Sequence, residues 1–257
     1  FDLDSLRLLA GLDMPAVKIP SGDITWGPML LAAARLGKPL IVSTGMADLD
    51  DIREALSVIA FALTQEGEPG GRVDLAAAFA SGAGQAALRD RVTLLHCTTQ
   101  YPAPLQAVNL RAMDVMAATF GLPVGYSDHT LGITVSIAAV ARGATVIEKH
   151  FTLDRNRPGP DHAASLEPQE LAAMVRSIRE VETALGKPEK APTPEEADNR
   201  PIARRSLVAA RAIAAGEVLT ADTMTAKRPA DGRSPMDVWS LIGTKASRAY
   251  DADEAIE

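Results

Sequence analysis

Two of the chain's four histidines stand at matching places, His129 in Gly125-Tyr126-Ser127-Asp128-His129-Thr130 and His150 in Glu148-Lys149-His150-Phe151-Thr152. Each follows a short apolar run, 122–126 and 144–147, and one helix-length stretch, 134–142, lies between them. That is strand, helix, strand with a histidine closing each strand. Consecutive parallel strands set such residues side by side at one mouth of a sheet or barrel. Two neutral imidazoles there could bind a divalent metal; taken singly, each is as readily a hydrogen-bonded residue without metal. The other strand ends are polar too: Lys18, Ser21, Gly22 and Asp23; Ser43, Thr44 and Gly45; His96, Thr98, Thr99, Gln100 and Tyr101. Ser127, Asp128 and His129, then Glu148, Lys149 and His150, complete the set. Lysine, hydroxyl and amide groups in a ring suit an anionic substrate, a phosphate above all. Lys18 sits inside a strand, where a buried ammonium is costly unless an anion pairs with it; an exposed or salt-bridged lysine is the alternative. The rigid Pro158-Gly159-Pro160 segment would aim Asp161 at the mouth, the plainer reading being a tight loop with Asp161 in solvent. His96 and His162 are weaker candidates, and Cys97, inside an apolar run, reads as a buried structural thiol.

The elements that must position these groups follow from apolar patterning. Short β-branched runs flanked by glycine or proline predict strands at 16–20, 39–43, 92–96, 124–126 and 146–150. Helices are predicted at 4–12, 27–36, 49–64, 110–120, 134–142 and 168–185. This alternation predicts an α/β fold with a parallel sheet and right-handed crossovers. A (β/α)8 barrel needs eight strands, so this chain would carry the last five, residues 1–186 forming a partial barrel; a doubly wound sheet stays open. Residues 65–90 interrupt the rhythm, with one Ala-rich helix expected at 73–88 as a surface excursion, or as a lid over the site. Proline-rich, mixed-charge residues 187–204 read as a linker. Residues 205–257 form a small module with room for only a modest core.

Composition narrows the class. The chain has 257 residues, 47% of them apolar, 23% charged and 4% aromatic, which suits helices packed on parallel strands. A net charge of −7 without a basic stripe argues against nucleic acid as a partner. No apolar run approaches the ~18 residues of a membrane span, and a single cysteine excludes an internal disulfide framework. A cytoplasmic enzyme is the expectation. The chain opens at Phe1 in what reads as the loop after a strand, so a preceding segment is expected.

Lys18-Ile19-Pro20-Ser21-Gly22-Asp23, Ser43-Thr44-Gly45-Met46, His96-Cys97-Thr98-Thr99-Gln100-Tyr101-Pro102, the 125–130 segment and 148–161 together resemble the bacterial sialic acid synthase family. Gly216-Glu217 and Lys227-Arg228-Pro229 resemble that family's small antifreeze-like SAF domain. The resemblance implies a TIM barrel linked to the SAF domain, in a domain-swapped homodimer whose SAF domains each close the partner's site. It implies condensation of phosphoenolpyruvate with an N-acylated hexosamine, releasing phosphate, in carbohydrate biosynthesis for cell-surface polysaccharide. His129 and His150 would be the metal ligands, for manganese first and magnesium or cobalt as substitutes. Lys18, Ser21, Ser43, Thr99 and Ser127 would hold phosphoenolpyruvate. Asp23, Tyr101 and Asp161 would contact the sugar, Asp161 joining the histidines as a catalytic group, and Arg228 would reach the acyl group from the other subunit. Asp23 stands where the family usually has Glu. Thr99 stands where sialic acid synthases often have Asn, and Thr-Gln-Tyr-Pro looks more like the legionaminic-type branch. N-acetylneuraminate synthase is the leading expectation. Legionaminic or pseudaminic acid synthase, a metal-dependent pyruvate aldolase on the same barrel, and an inactive chain lacking the first three barrel strands are the alternatives.

Overall fold

A computed structural model describes residues 2–257; Phe1 lies outside them. The chain divides into two units, 1–186 and 187–257. In the first, the strands are β1 (Val17–Ile19), β2 (Leu40–Ser43), β3 (Val92–Cys97), β4 (Val124–Asp128) and β5 (Ile147–Lys149). The helices are α1 (Leu3–Ala10), α2 (Gly27–Ala34), α3 (Leu49–Thr64), α4 (Arg72–Ala80), α5 (Gly82–Arg91), α6 (Arg111–Phe120), α7 (Thr134–Ala141) and α8 (Pro168–Leu185). All five strands are parallel, in the order β1-β2-β3-β4-β5. A doubly wound sheet reverses its strand order at a switch point. Strictly sequential order instead gives the curled, singly wound sheet of a half-barrel, five of the eight strands that closure requires.

Period-two alternation sorts the side chains. Val17, Ile19, Leu40, Val42, Val92, Leu94, Val124 and Tyr126 join Ile52, Leu56 and Ile59 of α3 and Met113 and Phe120 of α6 in one buried cluster. The intervening residues, Lys18, Ile41, Ser43, Thr93, Leu95, Cys97, Gly125, Ser127 and Glu148, therefore share the concave face. Local signals set the helix bounds. The Asp48 carboxylate accepts from the amides of Asp50 and Asp51 and Asp51 reaches back, a capping box that starts α3. Pro168 at the first turn and the Glu167/Glu170 box start α8, and Gly121, at φ 63°, ends α6.

The expected single helix at 73–88 is two helices. Ser81 breaks it: its Oγ accepts from the Gly84 amide at 2.9 Å and caps α5. The segment does lie at the surface, with most of its residues exposed, but it packs on the helix layer and is not a lid. Ala78 and Leu88 are buried in the main cluster, Leu75 and Phe79 pack on it, and α4 and α5 lie on α3 in the helix layer. An alanine-rich face allows that close packing, which composition alone did not reveal.

In the second unit the residues expected as linker include two short helices, α9 (Pro194–Ala197) and α10 (Asn199–Ala203). Beyond them β6 (Ser206–Ala209) pairs antiparallel with β7 (Met224–Lys227), and α11 (Val238–Leu241) follows. Leu207, Ile213, Leu219, Met224, Leu241, Tyr250 and Ile256 make its own small core. No helix among the described residues is long and apolar enough to cross a membrane.

Gly125 marks the tightest place in the sheet. A Cβ there would stand 2.4 Å from the Val146 carbonyl oxygen and 2.6 Å from Leu95 Cδ2. Gly125→Ala is expected to destabilise the fold by about 1–3 kcal/mol, read as a lowered midpoint in chemical denaturation; an unchanged midpoint would contradict this β3–β4–β5 packing.

Candidate active site at the carboxyl ends of the strands

In register, Ser127 lies opposite Glu148 and Asp128 opposite Lys149. His129 and His150 follow, and their rings stand edge to face with centroids 5.7 Å apart. Tyr101 packs beside both, at 4.1 Å from the His129 ring and 5.5 Å from that of His150. Asp161 Oδ2 comes to 3.8 Å from His150 Nδ1. The Asp161 side chain is 54% exposed, so it stands near His150 while also facing solvent.

The tautomer of His129 follows from its neighbours. Nδ1 is 2.7 Å from the Thr98 carbonyl oxygen, which can only accept, so Nδ1 carries the proton. Ser127 Oγ lies 3.3 Å from Nε2, yet its one proton goes to Glu148 Oε1 at 2.7 Å. The Nε2 lone pair therefore faces an acceptor and has nothing to bind. Burial pulls the His129 pKa below its ordinary 6.5; the Thr98 contact opposes this and the His150 ring adds to it. The ring is held neutral, as a metal ligand must be. Two imidazoles on one ion at about 2.1 Å per nitrogen have ring centroids up to roughly 6 Å apart, so the spacing fits a shared divalent ion. Among the described residues no three His, Cys, Asp or Glu side chains gather at metal-binding spacing. A divalent ion shared by this pair would therefore take its remaining ligands from water or substrate oxygens. Burial, with Cys97 and the Asp161 and Glu148 carboxylates adding, raises the Tyr101 phenol above its ordinary 10 and keeps it a hydrogen-bond donor.

A second cluster lies beside the first. The Gly45 amide donates to Ser21 Oγ at 2.9 Å, and Ser21 Oγ lies 3.2 Å from Cys97 Sγ. A Cβ on Gly45 would meet Thr99 Oγ1 at 2.4 Å, so glycine is needed where these hydroxyls converge. Cys97 is buried, as expected of a structural thiol, but at the floor of this cluster. Ser43 Oγ is buried on the concave face with no hydrogen-bond partner among the described residues, a state costing about 1–3 kcal/mol unless a ligand fills it. Lys18 Nζ pairs with Glu148 Oε2 at 3.4 Å, both side chains partly exposed. Such a pair is weak and yields readily to a stronger anion.

Other candidates separate from these groups. His96 Nε2 bonds the Val108 carbonyl at 2.7 Å, and His162 Nδ1 bonds Thr152 Oγ1 at 2.7 Å, both structural. Asp128 and Lys149, counted among the polar strand ends, face the helix layer instead, because alternation turns them from Ser127 and Glu148. Burial lowers the Lys149 pKa while Asp128 opposes the shift. Asp23 lies in the 3-10 turn Ser21–Asp23. Arg228 belongs to the second unit, where its Nε donates to the Ala203 carbonyl at 2.7 Å. Glu148, read from sequence only as one of the polar strand ends, ties Ser127 to Lys18; its place opposite Ser127 on an adjacent strand is the signal for that role.

A sequential parallel sheet with its polar groups at the carboxyl strand ends places the chain among barrel-type α/β proteins. Residues 1–190 match the NeuB family and residues 204–257 the SAF domain. The chain belongs to the NeuB family. It is 47% identical to the N,N'-diacetyllegionaminic acid synthase of Campylobacter jejuni, over 100% of this chain and 70% of the relative. It is 35% identical to human N-acetylneuraminate-9-phosphate synthase, over 98% of this chain and 64% of that one. Among solved structures, the N-acetylneuraminic acid synthetase of Leptospira borgpetersenii superposes with a TM-score of 0.64 at 32% identity, over 77% of this chain and 61% of that one. The chain thus spans 70% and 64% of the two sequence relatives and 61% of the structural one.

Because the folded pKa of His129 lies below 6.5, its neutral form stabilises the fold fully above that value and the contribution is lost as pH falls below it. With chelator present, the thermal midpoint should drop as pH is lowered from 6.5, and His129→Gln should flatten part of that slope. An identical slope in the variant would contradict the assignment.

Proposed function

We propose that the protein condenses phosphoenolpyruvate with an N-acylated hexosamine of the mannosamine type, giving a nine-carbon keto acid and phosphate. The observation that carries this reading is the free Nε2 lone pair of His129 beside His150, on the face that also holds Lys18 and the Ser21, Ser43 and Ser127 hydroxyls. His129 and His150 would hold a divalent ion, manganese or else magnesium or cobalt, which when bound polarises the sugar aldehyde as a Lewis acid. Lys18, released from Glu148, would neutralise the substrate anion, and Ser21, Ser43, Thr99 and Ser127 would fix its orientation by hydrogen bonds. Tyr101, Asp23 and Asp161 would contact the sugar. Carbon 3 of the enol bonds to the aldehyde carbon, whose oxygen takes up a proton. Water then adds at carbon 2, and phosphate leaves as the ketone forms.

The legionaminic branch is favoured over N-acetylneuraminate as product. Thr99-Gln100 and the 47% identity to a legionaminic acid synthase, against 35% to the human enzyme, support it. The acceptor would then be a hexose with two acetamido groups. A homodimer is part of the reading. Met46, Leu105, Leu131, Phe151 and Leu153 are exposed on loops after the strands, and Met236 and Trp239 are exposed in the second unit. A second copy covering the mouth with its SAF unit would bury such apolar surface and bring in Arg228.

Full-length protein with manganese should release phosphate from phosphoenolpyruvate only when an acceptor is present, and faster with the diacetamido hexose than with N-acetylmannosamine. Lys18→Met should lower kcat/KM by about 10- to 100-fold, the loss of one charge-assisted contact. Condensation with pyruvate and no phosphate release would favour the aldolase reading instead. Sedimentation should show a dimer; a monomer would remove the shared-site model.

A further inference from the structure

Asp128 and Lys149 form an ion pair at 3.1 Å with side chains 0% and 3% exposed, the one such doubly buried pair among the described residues. Each is the residue immediately before a site histidine, and the two are register partners across β4 and β5. Asp128 Oδ1 accepts from the Thr130 amide at 2.8 Å and Thr130 Oγ1 at 2.7 Å, closing a turn around His129. Oδ2 accepts from Ser136 Oγ of α7 at 2.6 Å. Lys149 Nζ also donates to the Thr130 carbonyl. One ammonium, next to His150, is thereby fastened to the residues on both sides of His129.

Stability alone is a poor reason for this arrangement. Burying two charges costs several kcal/mol per ion, and well-packed apolar replacements are often as stable or more so. Directional bonds offer what apolar packing does not, a fixed spacing between two strand ends that lie at the last rung of the sheet. Beyond them the chain enters loops, where position would otherwise be loosely set.

We propose that the Asp128–Lys149 pair is a positioning brace that sets the separation of the His129 and His150 imidazoles, and so the affinity of the site for a divalent ion. The inference rests on reading the histidines as metal ligands. Neither Asp128 nor Lys149 touches substrate or ion; both act through the histidines they precede.

Calorimetric titration of the full-length protein with manganese chloride tests it. The double variant Asp128→Asn with Lys149→Met keeps an acceptor for the Thr130 turn and leaves no charge unpaired. It should hold its thermal midpoint in chelator near that of the parent yet bind manganese about 10- to 100-fold more weakly, as loss of an outer support does at metal sites. Should the double variant not fold, Ser136→Ala, which only loosens Asp128, decides the matter by an affinity loss of about threefold or more. Affinity within about twofold of the parent in whichever folded variant is decisive would overturn the brace. A parent that binds no manganese would overturn the metal reading itself, and the brace with it; a parent that binds while the variants bind equally sinks the brace alone.

Discussion

Adjacent parallel strands held in register, with side chains pointing alternately to opposite faces, constrain everything at the mouth of this sheet. One rung of β4 and β5 turns Ser127 and Glu148 to the concave face and the next turns Asp128 and Lys149 to the helices. His129 and His150 come one step later, on loops that return to the concave side. A slip of one residue in this register would exchange the two faces. It would bury the glutamate under α7 and open the Asp128–Lys149 pair to solvent.

The polar mouth is held at a cost. Ser43 Oγ has no partner among the described residues, the His129 Nε2 lone pair faces an acceptor, and Lys18 rests in a weak pair with Glu148. Groups left wanting in this way would be stabilised by an anion at Lys18 and the hydroxyls and by a cation at the histidines. The helix layer supplies the compensating stability through the apolar cluster on the opposite face. Placing α4 and α5 on α3 extends that layer, so residues 65–90 serve the fold more than the site.

Relatives of this NeuB-family chain are named as N,N'-diacetyllegionaminic acid, pseudaminic acid and N-acetylneuraminate-9-phosphate synthases. The residues that separate these products would be those touching the acyl and amino substituents of the sugar.

The sequence by itself determined the elements whose signals are local. α3 and α8 begin and end where their capping boxes and apolar periodicity say, and five strands stand within a few residues of their β-branched runs. The matched placing of His129 and His150, and the rigid loop before Asp161, were legible because chain spacing and strand direction fix them. Ser81 as a break between two helices was missed, because an Ala-rich run has helix propensity throughout and one capping serine is a weak signal against it. Only the tertiary structure decided which way each polar strand end faces. Five consecutive ends read alike in sequence, but register and the helix layer divide Ser127 and Glu148 from Asp128 and Lys149. The free lone pair on His129 was likewise beyond the sequence, since it depends on a carbonyl from β3's loop and a carboxylate on β5. Contacts between groups so far apart along the chain exist only once the sheet has curled and brought its strand ends together.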